Sequence, residues 1–188
     1  MADETMSRYQ TQLDSRGGMI FAVVLAAGAS SRYGTSPPKQ QELLPHVLAA
    51  LRRAGSLDGI LVVAGAHPIE LGGVDADADV VQCPDWERGP GASLRCGLEA
   101  LPATAEAAFV VLADGPDLDP RAIDRLIASW RREGGDVVAA TYGGLRLHPV
   151  LLARSAWPLV PDAGARGLEA RLVACDDLTP PGDVDVRR

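Results

Sequence analysis

The fold of this chain is decided by the stretch MIFAVVLAAG, residues 19–28. This stretch is a continuous apolar run, rich in β-branched residues and closed by a glycine. Such a run is typical of a strand that is buried on both faces. A strand of this kind belongs in a sheet that is covered by helices on both sides. We therefore predict that the run is the first strand of an α/β domain.

The same kind of apolar run recurs along the chain, with helical patterns between the runs. Further strands are predicted at 59–65, 79–82, 107–114, 136–143 and 148–153. Helices are predicted at 40–54, 91–101 and 120–135, from apolar residues at helical spacing and from proline and glycine at the helix ends. Strands that alternate with helices need crossover connections, so we predict a three-layer αβα fold with a mostly parallel, twisted, Rossmann-like sheet.

Length and composition fit one domain of ordinary size. The chain has 188 residues, of which 47% are hydrophobic and 23% are charged. Residues 1–18 are polar and aperiodic, so we expect a disordered leader or one added for expression. Residues 19–188 are expected to form a single domain.

Charge and cysteine content exclude several classes of function. The formal net charge of −7 argues against a nucleic-acid partner, because phosphate neutralisation needs clustered lysine and arginine. No apolar run approaches the roughly 20 residues that cross a bilayer, so we expect a cytoplasmic protein without a membrane partner. Cys83, Cys96 and Cys175 are too few and too widely spaced for a disulfide framework or a structural zinc site. Reduced, buried thiols are expected instead.

A single lysine, Lys39, stands among the 18 basic residues, and all the others are arginines. A position that keeps lysine in such a sequence is expected to need a compact ammonium group rather than a planar guanidinium. An incidental surface lysine is the alternative. The loop that precedes Lys39 favours the functional interpretation, and we expect Lys39 to be an exposed residue of that loop.

The predicted first strand leads into a loop of small residues, LAAGASSRYGTSPPKQ, residues 25–40. In an open parallel sheet, ligands bind at the carboxyl ends of the strands. Gly28 can adopt backbone angles that let successive N–H groups converge on an anion, while Arg32 and Lys39 supply full charges. We therefore expect the loop to bind a polyphosphate. It matches neither G-x-x-x-x-G-K-[ST] nor G-x-G-x-x-G, and an ordinary glycine turn is the alternative.

These residues also resemble a known family. The loop, with Lys39 after it, is similar to the L-A-[AG]-G-x-S-x-R-x-G…K signature of nucleotidyltransferases of the molybdenum-cofactor cytidylyl- and guanylyltransferase type. These enzymes are relatives of the sugar-phosphate and methylerythritol-phosphate nucleotidyltransferases. Four further segments are similar to motifs of the family: CPDWERGPGASLRCGL (83–98) to W-x-x-G…S-L-x-x-G-L, LADGPDL (112–118) to L-x-D-x-P, LHPVLL (147–152) to G-H-P-V, and DAGAR (162–166) to G-D-x-G-A-R. The resemblance runs from about residue 20 to residue 186 and implies the glycosyltransferase-A-like nucleotidyltransferase fold.

The resemblance implies a magnesium-dependent enzyme that transfers a nucleoside monophosphate from a nucleoside triphosphate to a phosphorylated acceptor and releases pyrophosphate. The L-A-A-G loop favours CTP and a molybdopterin-type acceptor, since the guanylyl branch tends toward L-A-G-G. GTP, a sugar phosphate or another phosphorylated acceptor stays open, and a molybdoenzyme is the suggested protein partner. Because such a transfer brings anions together, it needs cations on both sides of the reacting phosphate.

The nucleotide is expected to contact three segments. Arg32 and Lys39 are the predicted catalytic residues, and the amides of residues 27–30 are expected to cradle the β- and γ-phosphates. The end of the second strand offers apolar walls for the base, and the start of the next long helix offers N–H groups for the ribose or base. The predicted nucleotide-binding residues are Leu25, Ala26, Ala27, Gly28, Ala29, Ser30, Arg32, Lys39, Ala64, Gly65, Ala66, Gly89 and Ser93.

Asp114, at the end of a predicted strand, is the expected magnesium ligand, because Mg²⁺ keeps waters and takes only one or two carboxylates. The resemblance implies Asp185 as the second ligand, with Asp183 as the less favoured candidate. His148 and Arg166 lie in segments that face the acceptor in the family, so they are the predicted acceptor-binding residues. A turn or cap role for Asp114, a solvated tail for Asp185 and a buried structural role for His148 are the alternatives.

The chain departs from the family pattern at several points. Lys39 is followed almost directly by QELLPHVL, where the family has K-x-x-L, a glycine turn and a second apolar run. Gly115 stands where L-x-D-Q-P has glutamine, Leu147 where G-H-P has glycine, and Pro161 where a glycine precedes D-x-G-A-R. The last three changes concern the acceptor side. The nucleotide is therefore better supported than the acceptor.

Two other functions compete with this interpretation. An oxidoreductase could use such a fold to hold a dinucleotide or flavin, but the G-x-G-x-x-G loop and the ribose-binding acid about 20 residues beyond it are missing. A catalytically weakened nucleotide-binding regulator is the other, and the shortened segment after Lys39 favours it.

Overall fold

The computed structural model describes residues 18–29, 39–72 and 78–182, which include only Gly18 of the predicted leader. These residues form a seven-stranded sheet between two layers of helices. The strands are β1 (Met19–Ala26), β2 (Gly59–Ala64), β3 (Asp79–Gln82), β4 (Ala105–Leu112), β5 (Val137–Tyr142), β6 (Leu145–Ala153) and β7 (Arg171–Ala174). The helices are α1 (Lys39–Arg53), α2 (Pro90–Glu99) and α3 (Pro120–Glu133), and short 3₁₀ helices cover Trp86–Arg88, Arg154–Leu159 and Gly164–Gly167.

The strand order is β3-β2-β1-β4-β6-β5-β7. Strand β6 runs antiparallel to β4 and β5, and every other neighbouring pair is parallel. The prediction of a mostly parallel α/β sheet is therefore confirmed.

Strand β6 was predicted to begin at residue 148, but it begins at Leu145 because a tight turn precedes it. Gly143 and Gly144 have φ angles of 58° and 80°, a region that glycine enters at low cost, and Tyr142 pairs directly with Leu145 across the turn. His148 consequently lies inside a strand.

Strand β1 is buried on both faces, as predicted. Ile20, Ala22 and Val24 pack with α1 and α3 on one side of the sheet. Phe21 and Val23 pack with α2 and the 3₁₀ helices on the other side. The chain therefore forms the predicted three layers.

Strand β7 was not predicted. It has only four residues, lies at the sheet edge beside β5, and alternates between partly buried and exposed residues, with Leu172 56% exposed. Its apolar signal is too short to distinguish it from a loop.

All three cysteines are free; Cys83 and Cys175 are buried as expected, while Cys96 is only partly buried. No helix within the described residues is long and apolar enough to cross a membrane.

The parallel strands bring three loops to one edge of the sheet. Leu25 in β1 pairs with Val63 in β2 and with Leu112 in β4, and all three residues lie at or near the carboxyl ends of their strands. The loops that follow β1, β2 and β4 therefore emerge side by side.

Candidate functional site

The loop that follows β1 begins as predicted from the small residues. Leu25 and Ala26 close the strand, Ala27 is buried, and Gly28 and Ala29 are exposed at the edge of the sheet. Two of the residues predicted to contact the triphosphate, Ser30 and Arg32, lie outside the described residues.

The end of β2 packs directly against this loop. The amide of Ala66 donates to the carbonyl of Ala27 at 3.1 Å. A Cβ atom on Gly65 would lie 2.6 Å from the carbonyl oxygen of Ala27 and 2.7 Å from Cβ of Trp86, so a larger residue does not fit without a backbone shift. The predicted phosphate and base segments, including the buried Ala64, thus adjoin each other.

Lys39 is not the exposed loop residue that we expected. It is the first residue of α1, it is only 6% exposed, and its Nζ lies 2.9 Å from Oδ2 of Asp114. Strand β4 was predicted to end at residue 114, but it ends at Leu112, so Asp114 lies two residues beyond it. Two residues that were predicted separately, one as a catalytic cation and one as a metal ligand, therefore form an ion pair.

The first turn of α1 contacts three loops through three successive residues. Besides the Lys39 ion pair, Nε2 of Gln40 donates to the carbonyl of Gly28 at 3.0 Å, and Nε2 of Gln41 donates to the carbonyl of Glu70 at 3.0 Å. Sequence reasoning assigned no role to the two glutamines. The available signal was their position, directly after the only lysine and at the start of a helix.

The start of α2 is held against the segment that leads to Arg166. The amide of Gly91 donates to the carbonyl of Asp162 at 3.0 Å, and a Cβ atom on Gly91 would lie 2.0 Å from the carbonyl oxygen of Pro161. Gly89 has a φ of 109°, and Ser93 is buried in the first turn of the helix. The predicted nucleotide and acceptor segments are thus in contact.

His148 and Arg166 line one cavity of about 330 Å³ beside the loop that carries Asp114. Nδ1 of His148 lies 3.1 Å from the carbonyl oxygen of Val110, which can only accept, so Nδ1 carries the proton of the neutral ring. Burial lowers the pKa of His148, and the nearby charge of Arg166 lowers it further, whereas Asp114 acts in the opposite direction. The imidazole is therefore neutral near pH 7, and Nε2 can accept a hydrogen bond.

Arg146 holds the 3₁₀ helix that carries Arg166. Its Nη1 donates to the carbonyl of Leu168 at 2.6 Å, and its Nη2 donates to the carbonyl of Ala165 at 2.8 Å. This anchoring role was not predicted. Both acceptors are backbone carbonyls about 20 residues away along the chain, and a sequence pattern does not indicate where they face.

Among the described residues, no group of three or more histidine, cysteine, aspartate or glutamate residues could hold a metal ion. Asp114 is the described member of the predicted ligand pair, while Asp185 and Asp183 lie outside the described residues. The segment just before them packs beside the Asp114 loop, since the amide of Asp117 donates to the carbonyl of Pro181 at 3.0 Å.

The chain matches known proteins over most of its length. Residues 22–177 match the family described as "MobA-like NTP transferase domain". The chain is 34% identical over 141 residues to the 2-C-methyl-D-erythritol 4-phosphate cytidylyltransferase of Stenotrophomonas maltophilia (strain R551-3), which covers 64% of this chain and 57% of that protein. The chain thus spans little more than half the length of this curated relative.

Solved structures have the same fold. The crystal structure of Rv0371c from Mycobacterium tuberculosis H37Rv superimposes with a TM-score of 0.73 and 25% identity, covering 91% of this chain and 95% of that chain. A structure of Rv0371C in complex with manganese superimposes with a TM-score of 0.64 and 24% identity, covering 86% of this chain and 91% of that chain.

Proposed function

Because this chain belongs to the MobA-like NTP transferase domain family, we propose that it is a metal-dependent nucleotidyltransferase that uses CTP in preference to GTP. A phosphate oxygen of the acceptor attacks the α-phosphorus of the nucleotide, and the bond from that phosphorus to the departing pyrophosphate breaks. The observation that carries the proposal is the Lys39–Asp114 ion pair, 2.9 Å long, together with the bond of the adjacent Gln40 to the exposed Gly28 in the loop after β1.

The nucleotide lies across the loops after β1 and β2. The amides of residues 27–30 cradle the β- and γ-phosphates, and the base lies against the segment 64–66. Lys39 and Arg32 neutralise the triphosphate and the charge that develops as pyrophosphate leaves. Support comes from the close packing of Gly65 on Ala27, which puts the two segments side by side.

A divalent ion fits the chemistry of Asp114. The carboxylate is a hard oxygen ligand of the kind that Mg²⁺ prefers, and its side chain is 30% exposed. The Lys39 ammonium contacts Oδ2 and has to turn toward the phosphate oxygens when the ion binds. We assign Asp114 and Asp185 as ligands and favour Mg²⁺. The ion would supply positive charge that stabilises the leaving pyrophosphate.

The acceptor phosphate is held by Arg166, whose guanidinium can bind two phosphate oxygens. His148 lines the same cavity and contacts the acceptor there. The name of the curated relative favours a sugar phosphate type of acceptor, while the L-A-A-G loop favours a molybdopterin-type acceptor and, with it, a molybdoenzyme that receives the product.

The proposal is tested by pyrophosphate release from CTP, GTP, ATP and UTP, each with Mg²⁺ and a panel of phosphorylated acceptors. We expect release that requires metal and acceptor and is fastest with CTP. Thermal stabilisation by NAD(P)H or a flavin, but by none of the four nucleotides, would favour an oxidoreductase. Stabilisation by nucleotide without pyrophosphate release from any acceptor would favour a regulator.

A further inference from the structure

The cavity beside Asp114 is lined mainly by apolar side chains. Ten described residues line it, and only two of them, His148 and Arg166, carry a polar side chain. Six contribute apolar side chains to its walls: Val111, Leu112, Leu118, Leu147, Pro180 and Pro181. Among the described residues, the cavity therefore offers one cation and one imidazole between apolar side chains.

Several backbone groups around this cavity already have partners. The amide of Gly115 donates to the carbonyl of Leu112 at 3.3 Å, and the carbonyl of Pro181 accepts from the amide of Asp117 at 3.0 Å. In addition, the side-chain atom Nδ1 of His148 is hydrogen-bonded to the carbonyl oxygen of Val110. A hydroxyl group that packs against these apolar side chains would lose its hydrogen bonds to water, and the described side chains in the lining that could replace them are His148 and Arg166.

Two of the positions at which the chain departs from the motifs it resembles lie in the wall of this cavity. Gly115 stands at a glutamine position and Leu147 at a glycine position of those motifs, and both residues line the cavity. The first change removes a polar side chain from the wall, and the second adds an apolar one.

Resting on the proposed function, we propose that the acceptor is a small monophosphate whose body is a flat or branched apolar group and not an open polyol. Its phosphate binds Arg166, and its body packs against Leu147 and the two prolines.

The test compares two phosphate monoesters of similar size, phenyl phosphate and erythritol 4-phosphate, with inorganic phosphate as the reference. Binding to the full chain is measured by titration calorimetry with Mg²⁺ and a non-hydrolysable CTP analogue present. We expect phenyl phosphate to bind at least about tenfold more tightly than the polyol ester, the discrimination that an apolar pocket provides. Equal or tighter binding of the polyol ester overturns the inference.

Two leucines of β6 give a matched pair of variants. Leu147 lines the cavity and is 38% exposed, while Leu145 is 68% exposed on the same strand and does not line it. Leu147→Gln should weaken the binding of phenyl phosphate about tenfold and leave the binding of inorganic phosphate unchanged. Leu145→Gln should change the binding of neither ligand. Equal effects of the two substitutions contradict the inference.

Failure of the inference is distinguishable from failure of the proposed function. Pyrophosphate release with erythritol 4-phosphate but not with phenyl phosphate would leave a nucleotidyltransferase and reject the apolar acceptor. If the CTP analogue does not bind, the proposed function fails and the inference that rests on it falls too.

Discussion

Lys39 and Asp114 form the contact on which the candidate site depends. A buried ammonium is costly unless it is paired, and removing one partner leaves the other charge without compensation. Asp114 is 30% exposed, so water screens part of the interaction and lowers its contribution to stability. The pair therefore has a structural consequence in addition to its proposed role in binding phosphate and metal.

We predict that Lys39→Met abolishes turnover and also lowers the free energy of unfolding by about 1 kcal/mol, because the Asp114 carboxylate loses its ammonium partner but is partly solvated. Had Lys39 been the exposed residue that its sequence suggested, its removal would have left stability unchanged. Chemical denaturation of the variant and the parent protein measures the difference.

A double-mutant cycle provides the control. Asp114→Asn removes the other charge, and we expect the double variant to lose less stability than the sum of the two single variants. Asp114→Asn should also need more Mg²⁺ for half-maximal activity. Strictly additive stability losses and an unchanged metal response would contradict the assigned pair.

Among the elements, α1 has the largest effect on the site, since its first turn contacts the loops that carry Gly28, Glu70 and Asp114. A loop of small residues has few side-chain contacts of its own, so a bond from a helix restricts the backbone amides that are proposed to bind phosphate. The helix thus holds the described start of this loop through Gly28.

We predict that Gln40→Ala raises the KM for the nucleotide about fivefold with little change in kcat, since it removes one hydrogen bond to Gly28 worth about 1 kcal/mol. Gln41→Ala changes the same helical turn but removes the hydrogen bond to the carbonyl of Glu70 and leaves the bond to Gly28 intact. Its effect on the nucleotide KM should therefore be smaller. Steady-state kinetics with CTP decide the matter, and a larger effect of Gln41→Ala would refute the assignment.

Helix α3 holds the segment that ends in the cavity wall. Arg125 donates through Nη1 and Nη2 to the two carboxylate oxygens of Asp177 at 2.6 and 2.8 Å. These bonds lower the pKa of Asp177 to about 2. A carboxylate with a depressed pKa in the folded state stabilises the protein above its ordinary pKa of about 4, and the effect is lost as pH falls toward 2.

We therefore predict that Asp177→Asn lowers Tm at pH 6 and that the difference from the parent protein shrinks between pH 4 and pH 2. The shift should be small because the pair is exposed. Arg125→Lys retains the charge but loses the two-pronged contact, so its Tm should be intermediate at pH 6. Thermal unfolding measured across this pH range tests the prediction. A difference in Tm between Asp177→Asn and the parent protein that stays constant with pH would contradict it.

At the scale of the whole molecule, the hydrophobic pattern was sufficient to predict the layers. The run from residue 19 predicted β1, and the alternation of apolar runs with helical patterns predicted the parallel part of the sheet. The direction of β6 depends on a two-residue turn at Gly143 and Gly144, which a hydrophobic pattern does not contain. The edge strand β7 was missed because half of it is exposed.

The candidate site was predictable only in part, for a related reason. Small residues after the first strand, the lone lysine and an aspartate after a later strand led us to predict the Gly28 loop, Lys39 and Asp114 as site residues. Contacts over long distances in the sequence did not follow from them: the Lys39–Asp114 pair spans 75 residues. The anchoring bonds of Gln40 and Arg146 end on backbone carbonyls, whose positions depend on the finished fold.

The most direct test is a crystal structure of the protein with Mn²⁺ and a non-hydrolysable CTP analogue. We expect the triphosphate over residues 27–30 and an anomalous manganese signal coordinated by the Asp114 carboxylate, with Lys39 turned toward phosphate oxygens. Nucleotide bound away from the loop after β1, or manganese without contact to Asp114, would contradict the account.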